Sequence, residues 1–143
     1  MSASPDRKEL LVPSSLSEVP KASAEAIEFL KSSKLSEADL FDVKLCLEEA
    51  LINAMKYGHH LDPHLRVKLL VEMYSDKAVI TVEDQGKGFD PSRLGDCTSA
   101  DNLLLNHGRG VHLIKQLMDD VSFNAQGNQV SMAKLFDKKS SLK

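Results

Sequence analysis

The sequence lacks several features that mark common classes of protein. It has no tryptophan, and aromatic residues make up only 5% of its 143 residues, which argues against a nucleic-acid binder that stacks on bases. No apolar run approaches the roughly 18 residues that a membrane-spanning helix needs. The polar segment 1–9 has no apolar core of a signal peptide. Two cysteines, Cys46 and Cys97, are too few for a disulfide framework, so we expect a cytoplasmic protein with reduced thiols.

The chain also has no excess of positive charge. It contains 18 Lys and Arg against 21 Asp and Glu, a formal net charge of −3, which gives no general electrostatic attraction to nucleic acid or to an anionic membrane. Hydrophobic residues make up 42% of the sequence and charged residues 27%, which is typical of a globular protein. We therefore expect one domain over residues 1–143, with frayed ends at 1–7 and 137–143.

The hydrophobic pattern predicts an α+β fold. Strands are predicted at 9–13, 65–74, 77–83, 121–125 and 130–136, and helices at 15–33, 36–57 and 110–119. Pro20 must lie in the first turn of its helix, and Ser36 and Gly58 are natural ends of the second helix. Two predicted hairpins, the second around Gly127-Asn128, indicate a mixed, mostly antiparallel sheet. With three helices on one face, this is a two-layer α/β sandwich.

Glu49 and Asn53 are the first candidate site residues. Their i, i+4 spacing places the two side chains next to each other on the second predicted helix. Much of that helix is apolar, and a carboxylate and an amide buried there would need polar partners or a solvated cavity. The alternative interpretation is a solvent-exposed polar stripe that includes Asp42 and Lys56.

Two further motifs are built on glycines. Asp84-Gln85-Gly86-Lys87-Gly88 follows a predicted strand, where glycines let the backbone approach a ligand and the Asp84 carboxylate suits an exocyclic amine such as that of adenine. Gly108-Arg109-Gly110 begins a predicted helix, whose free N–H groups and dipole favour a phosphate. Arg109 would add charge-assisted hydrogen bonds. Taken singly, each motif is also compatible with a structural turn.

The order of the three motifs is more specific than any one of them. It resembles the GHKL (histidine-kinase-like) ATP-binding superfamily, in which Glu49 to Ala54 is similar to the N box. Asp84 to Gly88 is similar to the first glycine box, and Gly108 to Val111 to the second. The resemblance covers about residues 36–120 and implies a Bergerat-type ATP-binding fold with an ATP lid at about 91–107.

The resemblance implies a role for each site residue. Glu49 would be the general base, and Asn53 would ligate Mg²⁺ through its side-chain oxygen. Asp84 would accept a hydrogen bond from adenine. The other residues assigned to nucleotide binding are Lys56, Gly86, Gly88, Gly108, Arg109, Gly110 and Val111.

The length of the chain points to one branch of the superfamily. Sensor histidine kinases carry a phosphoacceptor helix pair before this domain, for which 143 residues leave no room. A free-standing domain resembles the anti-sigma-factor serine/threonine kinases, and Asn53 to Gly58 is similar to the continuation of their N box. The resemblance thus implies a bacterial kinase that uses ATP and Mg²⁺, binds a sigma factor and phosphorylates a STAS-domain anti-anti-sigma partner. It also implies a possible homodimer, which the exposed edge of the N-terminal strand could form.

Two other functions stay open on the sequence. A non-catalytic module would sense ATP or ADP and control a protein partner by ordering the lid. Glu49 argues against this function, because a pure binder needs no base. An unrelated α+β domain would contain the three motifs as coincidental turns.

Overall fold

A five-stranded antiparallel sheet forms one layer of the fold. The computed structural model describes residues 6–58, 64–84, 109–124 and 128–136. The strands are β1 (Asp6–Pro13), β2 (Arg66–Met73), β3 (Lys77–Glu83), β4 (Asp120–Phe123) and β5 (Gln129–Leu135). They lie in the order β1-β2-β3-β5-β4, so β1 and β4 are the edges. All four pairings are antiparallel, and the sheet is therefore not mixed within the described strands.

Three helices form the second layer: α1 (Val19–Leu30), α2 (Glu37–Asn53) and α3 (Arg109–Leu117). A 3₁₀ turn, Leu16–Glu18, precedes α1, so the α-helix begins later than the predicted residue 15. Pro20 lies in the first turn, as predicted. The Ser36 hydroxyl accepts a hydrogen bond of 3.0 Å from the Asp39 N–H, which confirms Ser36 as the N-cap of α2.

The core lies between the sheet and α2, which contacts both other helices. Alternate side chains of the central strands are buried on the helix side: Val67, Leu69, Val71, Ala78, Ile80, Val82, Val130 and Met132. From α2 the buried side chains include Val43, Cys46, Leu47 and Leu51. The α+β two-layer sandwich is thus confirmed, with Cys46 as a core residue.

The end of α2 differs from the prediction. The α-helix stops at Asn53 rather than running to Tyr57, and the chain continues as a π-helical turn over Ala54–Gly58. This wider turn holds both Ala54 and Met55 in the core, which leaves Lys56 exposed. Such turns are frequent at functional sites, and this one directly follows Asn53. None of the helices in the described ranges is long and apolar enough to cross a membrane.

Candidate functional site

One face of α2 carries Glu49 and Asn53 in a polar stripe with Asp42 and Cys46. The spacings i, i+4, i+7 and i+11 from Asp42 place these four side chains on the same side of the helix. Cys46 is fully buried, and Asp42, Glu49 and Asn53 are half-buried. Glu49 and Asn53 are therefore partly covered rather than fully exposed to solvent. Lys56, beyond the π-helical turn, is exposed.

A buried lysine shows which neighbour this stripe faces. Lys134 of β5 is only 3% exposed, and its Nζ donates to Asp42 Oδ2 at 3.3 Å and to the carbonyl oxygen of Leu117. Asp39 Oδ1 lies 3.9 Å from the same nitrogen. Leu117 ends α3, where unpaired carbonyls favour a cation. Lys134 thus joins β5, α2 and α3, and the stripe of α2 lies on the side of α3.

The pKa of the Cys46 thiol is affected by three charged neighbours, Lys134, Asp42 and Glu49. Burial raises the pKa of its thiol to about 11, which the positive charge of Lys134 partly opposes. The carboxylates of Asp42 and Glu49 raise that pKa further, as expected for negative charges close to the sulfur. The thiol therefore stays protonated at neutral pH and has no nucleophilic character there.

Asp84 lies at the end of β3 and is 8% exposed. It continues the alternation of Ala78, Ile80 and Val82, whose side chains face the helices, so its carboxylate belongs to the layer that contains α2. Its backbone N–H donates to the Asn128 carbonyl at 2.8 Å, and the Asn128 side-chain amide donates to the Asp84 carbonyl at 3.1 Å. Asn128 therefore holds both backbone groups of Asp84.

The glycine motifs are described only in part. Helix α3 begins at Arg109, one residue before the predicted start, and its helical backbone includes Gly110 and Val111. Gly86, Gly88 and Gly108 lie outside the described residues, as does the predicted lid at 91–107. The described residues contain no group of three or more His, Cys, Asp or Glu that could hold a metal ion.

A cavity of about 510 Å³ also opens near Asp84. Besides Asp84 and Asn128 it is lined by Leu11, His64, Arg66, Lys68 and Glu83. Leu11 is 57% exposed whereas the next residue, Val12, is buried, so Leu11 belongs to the sheet face away from the helices. Lys68 and Glu83 share that face by the strand registers. Leu11, Lys68 and Glu83 therefore place this part of the cavity on the sheet face away from Glu49 and Asn53.

Three residues that contribute to the site have no role in the sequence-based prediction: Lys134, Asn124 and Asn128. Lys134 occupies an inward position in the alternation Val130, Met132, Lys134, and a charge at such a position is a signal that a buried partner exists. The asparagines flank a turn, where their residue type predicts local hydrogen bonds but not a contact with Asp84.

Comparison with known proteins agrees with this geometry. The sequence matches the histidine kinase-like ATPase domain family over residues 12–134. The chain belongs to this family. The resemblance to GHKL (histidine-kinase-like) proteins is thereby confirmed. The match includes α2, β3 and α3, so all three motifs lie within the histidine kinase-like ATPase domain.

The relatives include serine kinases. The chain is 32% identical over 108 residues to the serine-protein kinase RsbW of Staphylococcus epidermidis, covering 70% of this chain and 68% of the relative. The RsbW of a Staphylococcus aureus strain is 31% identical over the same length and the same shares. The crystal structure of the RsbU and RsbW domains of Rv1364c from Mycobacterium tuberculosis aligns with a TM-score of 0.62 at 11% identity. It covers 91% of this chain but only 32% of that longer protein, and it supports the fold alone.

Proposed function

We propose that the protein is an ATP- and Mg²⁺-dependent serine/threonine protein kinase that also acts as an anti-sigma factor. One observation carries the proposal: a half-buried carboxylate and amide, Glu49 and Asn53, lie on the face of α2 towards α3 in a histidine kinase-like ATPase domain. A protein that only binds a nucleotide has no use for a base at this position. The relatives named serine-protein kinase agree with phosphoryl transfer.

The nucleotide would lie between α2, the end of β3 and the start of α3. Asp84 would accept a hydrogen bond from the 6-amino group of adenine, and the N–H groups of the first turn of α3 would bind phosphates. Lys134 places the end of α3 beside Asp42. At 1.5 Å per residue, Glu49 is about 10 Å from Asp42 along α2, and Arg109 is about 12 Å from Leu117 along α3. An antiparallel course of the two helices would therefore bring the phosphate site beside Glu49.

Glu49 would accept the proton of the attacking serine or threonine hydroxyl. That oxygen forms a bond to the γ-phosphorus while the bond between the β–γ bridging oxygen and the γ-phosphorus breaks, which releases ADP. Asn53 fits a magnesium ion, because its amide oxygen is a hard donor and Mg²⁺ takes few protein ligands besides phosphate oxygens and water. When bound, the ion would neutralise charge on the phosphates.

The proposed partners are a sigma factor and a STAS-domain anti-anti-sigma protein whose serine or threonine receives the phosphate. We also propose a cytoplasmic location and a homodimer. The edge strand β1 supports the dimer, because no other described strand pairs with its outer side, where a strand of a second copy would add to the sheet.

Calorimetric titration of Mg·ATP into the wild type and Asp84→Asn tests the nucleotide site. We expect micromolar binding to the wild type and a loss of about tenfold or more in the variant, because the carboxylate is an acceptor and an amide presents a donor to the adenine amine. Equal affinity of the two folded proteins would contradict the assignment of Asp84.

Incorporation of labelled phosphate into candidate STAS proteins distinguishes a kinase from a nucleotide sensor. The kinase proposal expects stoichiometric transfer to a serine or threonine of one such protein. Tight ATP binding with only trace incorporation into every candidate would favour the sensor. A lack of any adenine-nucleotide affinity, with and without these proteins, would contradict both functions.

A further inference from the structure

The β4–β5 hairpin is closed by hydrogen bonds between two asparagines. Asn124 follows β4 and Asn128 precedes β5. The Asn124 side-chain amide donates to Asn128 Oδ1 at 2.7 Å, while Asn124 Oδ1 accepts from the backbone N–H of Asn128 at 3.1 Å and of Gln129 at 3.3 Å. The Asn124 N–H also donates to the Gln129 carbonyl at 3.1 Å. Asn124 thus fixes both the backbone and the side chain of Asn128.

This arrangement determines which way the Asn128 amide points. Its oxygen accepts from Asn124, so its nitrogen faces the opposite side, where Nδ2 donates to the Asp84 carbonyl at 3.1 Å. The Asp84 N–H in turn donates to the Asn128 carbonyl at 2.8 Å. Both peptide groups of Asp84 are therefore tied to one residue that lies 44 positions away in the sequence.

Asp84 needs such support because it is the point at which β3 ends. In the middle of the strand, neighbours on both sides hold each residue, whereas the described pairing of β3 with β2 extends only to Glu83. The two hydrogen bonds between Asp84 and Asn128 extend the pairing of β3 with β5 by one residue beyond the Glu83–Gln129 pair. The asparagine clamp, Asn124 with Asn128, thereby restricts the backbone from which the Asp84 carboxylate extends.

We propose that Asn128, oriented by Asn124, is a positioning residue that sets the selectivity of the site for a 6-amino purine over a 6-oxo purine. The inference rests on the proposed role of Asp84 in binding adenine. A carboxylate attracts the amine of adenine and repels the carbonyl oxygen of hypoxanthine. This repulsion discriminates only while the carboxylate is unable to move aside, because a loosely held group relaxes away from the wrong base.

The test compares Mg·ATP with Mg·ITP, which differ at purine position 6, in calorimetric titrations. The first variant, Asn128→Ala, removes the hydrogen bond to the Asp84 carbonyl. The second, Asn124→Ala, leaves that hydrogen bond but removes the one that orients the Asn128 side chain. Ser131→Ala is the matched control. Its hydroxyl contacts Thr81 at 3.5 Å across the same two strands without touching Asp84. Thermal unfolding of each protein establishes that it is folded.

We expect the wild type to prefer ATP by tenfold or more, as sites built to bind a polar group reject an analogue that lacks it. Asn128→Ala should reduce the ratio of affinities by about fivefold, the worth of one hydrogen bond, and Asn124→Ala by less. Ser131→Ala should keep the wild-type ratio. In the Asp84→Asn background, Asn128→Ala should change the ratio no further, because its effect acts through that carboxylate.

A merely structural clamp gives a different result. It would lower the unfolding temperature of Asn128→Ala and of Asn124→Ala while both keep the wild-type ratio of affinities, and this outcome would overturn the inference alone. A folded wild type that binds both nucleotides equally, or neither, would overturn the adenine-binding role of Asp84 and the inference with it. The wild-type measurement therefore separates the two failures.

Discussion

Lys134 Nζ lies 3.3 Å from Asp42 Oδ2, and this pair connects the sheet to the helix that carries Glu49 and Asn53. The lysine side chain is 3% exposed and the aspartate side chain 29%. The Leu117 carbonyl also accepts a hydrogen bond from this nitrogen. The positive charge of Lys134 is therefore stabilised both by Asp42 of α2 and by the end of α3. The charge of Lys134 thus contributes to the relative placement of these helices.

Lys134→Met should destabilise the protein. Methionine keeps an unbranched apolar chain, but the carboxylates of Asp39 and Asp42 and the Leu117 carbonyl lose their common donor. We expect the free energy of unfolding, measured in urea, to fall by about 2 kcal/mol, less than for a fully buried pair because the aspartates reach solvent. Lys44→Met is the control, since Lys44 is 46% exposed in its pair with Glu48 at 3.2 Å, whereas Lys134 is 3% exposed, and we expect the Lys44–Glu48 pair to contribute about 0.5 kcal/mol or less. Equal effects of both variants would contradict the prediction.

Ser23→Ala should stabilise the protein. Ser23 is fully buried in α1, and its hydroxyl has no hydrogen-bond partner within the described residues. Removing an unsatisfied hydroxyl and gaining helix propensity should raise the unfolding free energy by about 1 kcal/mol. Ser33→Ala should do the opposite, because that hydroxyl donates to the Leu30 carbonyl at 2.6 Å and accepts from the Leu35 N–H at 3.2 Å. Urea unfolding of the two variants checks both signs.

Cys46 should resist alkylation in the native protein. Its pKa of about 11 exceeds the usual value near 9, so the reactive thiolate is scarce at pH 8. The folded protein binds the thiol proton more tightly than the unfolded chain does. The resulting contribution to the free energy of unfolding has its full value below pH 9 and is lost as the pH rises from 9 to 11. Cys97→Ser leaves Cys46 as the only thiol for labelling followed by mass spectrometry. Labelling at pH 8 that is as fast in the native state as in guanidinium would contradict the prediction.

Local signals in the sequence predict the framework of the site. The hairpins follow from alternation around short polar turns, and the start of α2 follows from the Ser36 cap. The i, i+4 relation of Glu49 and Asn53 needs only the period of a helix.

Contacts between distant segments are not predictable in this way. The alternation of β5 shows that Lys134 points inward but not that it meets Asp42, 92 positions away. In the same way, the asparagines beside the second turn look like ordinary turn residues until tertiary packing brings Asn128 to Asp84. The π-helical turn after Asn53 depends on the core that receives Ala54 and Met55, which helix propensity does not encode.

Asn53→Ala should weaken binding of Mg·ATP without weakening binding of metal-free ATP. The side-chain oxygen is the proposed protein ligand of the ion, so its loss removes an interaction that exists only when Mg²⁺ is present. We expect about a tenfold loss of affinity with Mg²⁺ and little change in EDTA, both measured by calorimetry. An equal loss under the two conditions would indicate that Asn53 acts on the fold or on the nucleotide itself.

Glu49→Gln should abolish phosphoryl transfer while ATP binding persists. Glutamine keeps the size of the side chain but cannot accept the hydroxyl proton, so the transfer rate to a STAS protein should fall by about 10²–10⁴-fold. Glu48→Gln is the matched control, because the neighbouring carboxylate is half-buried like Glu49 but pairs with Lys44 at 3.2 Å and lacks the i, i+4 relation to Asn53. Single-turnover transfer of labelled phosphate gives the rate, and calorimetry gives the ATP affinity. Wild-type transfer by Glu49→Gln, or its loss in Glu48→Gln alone, would assign the base to another residue.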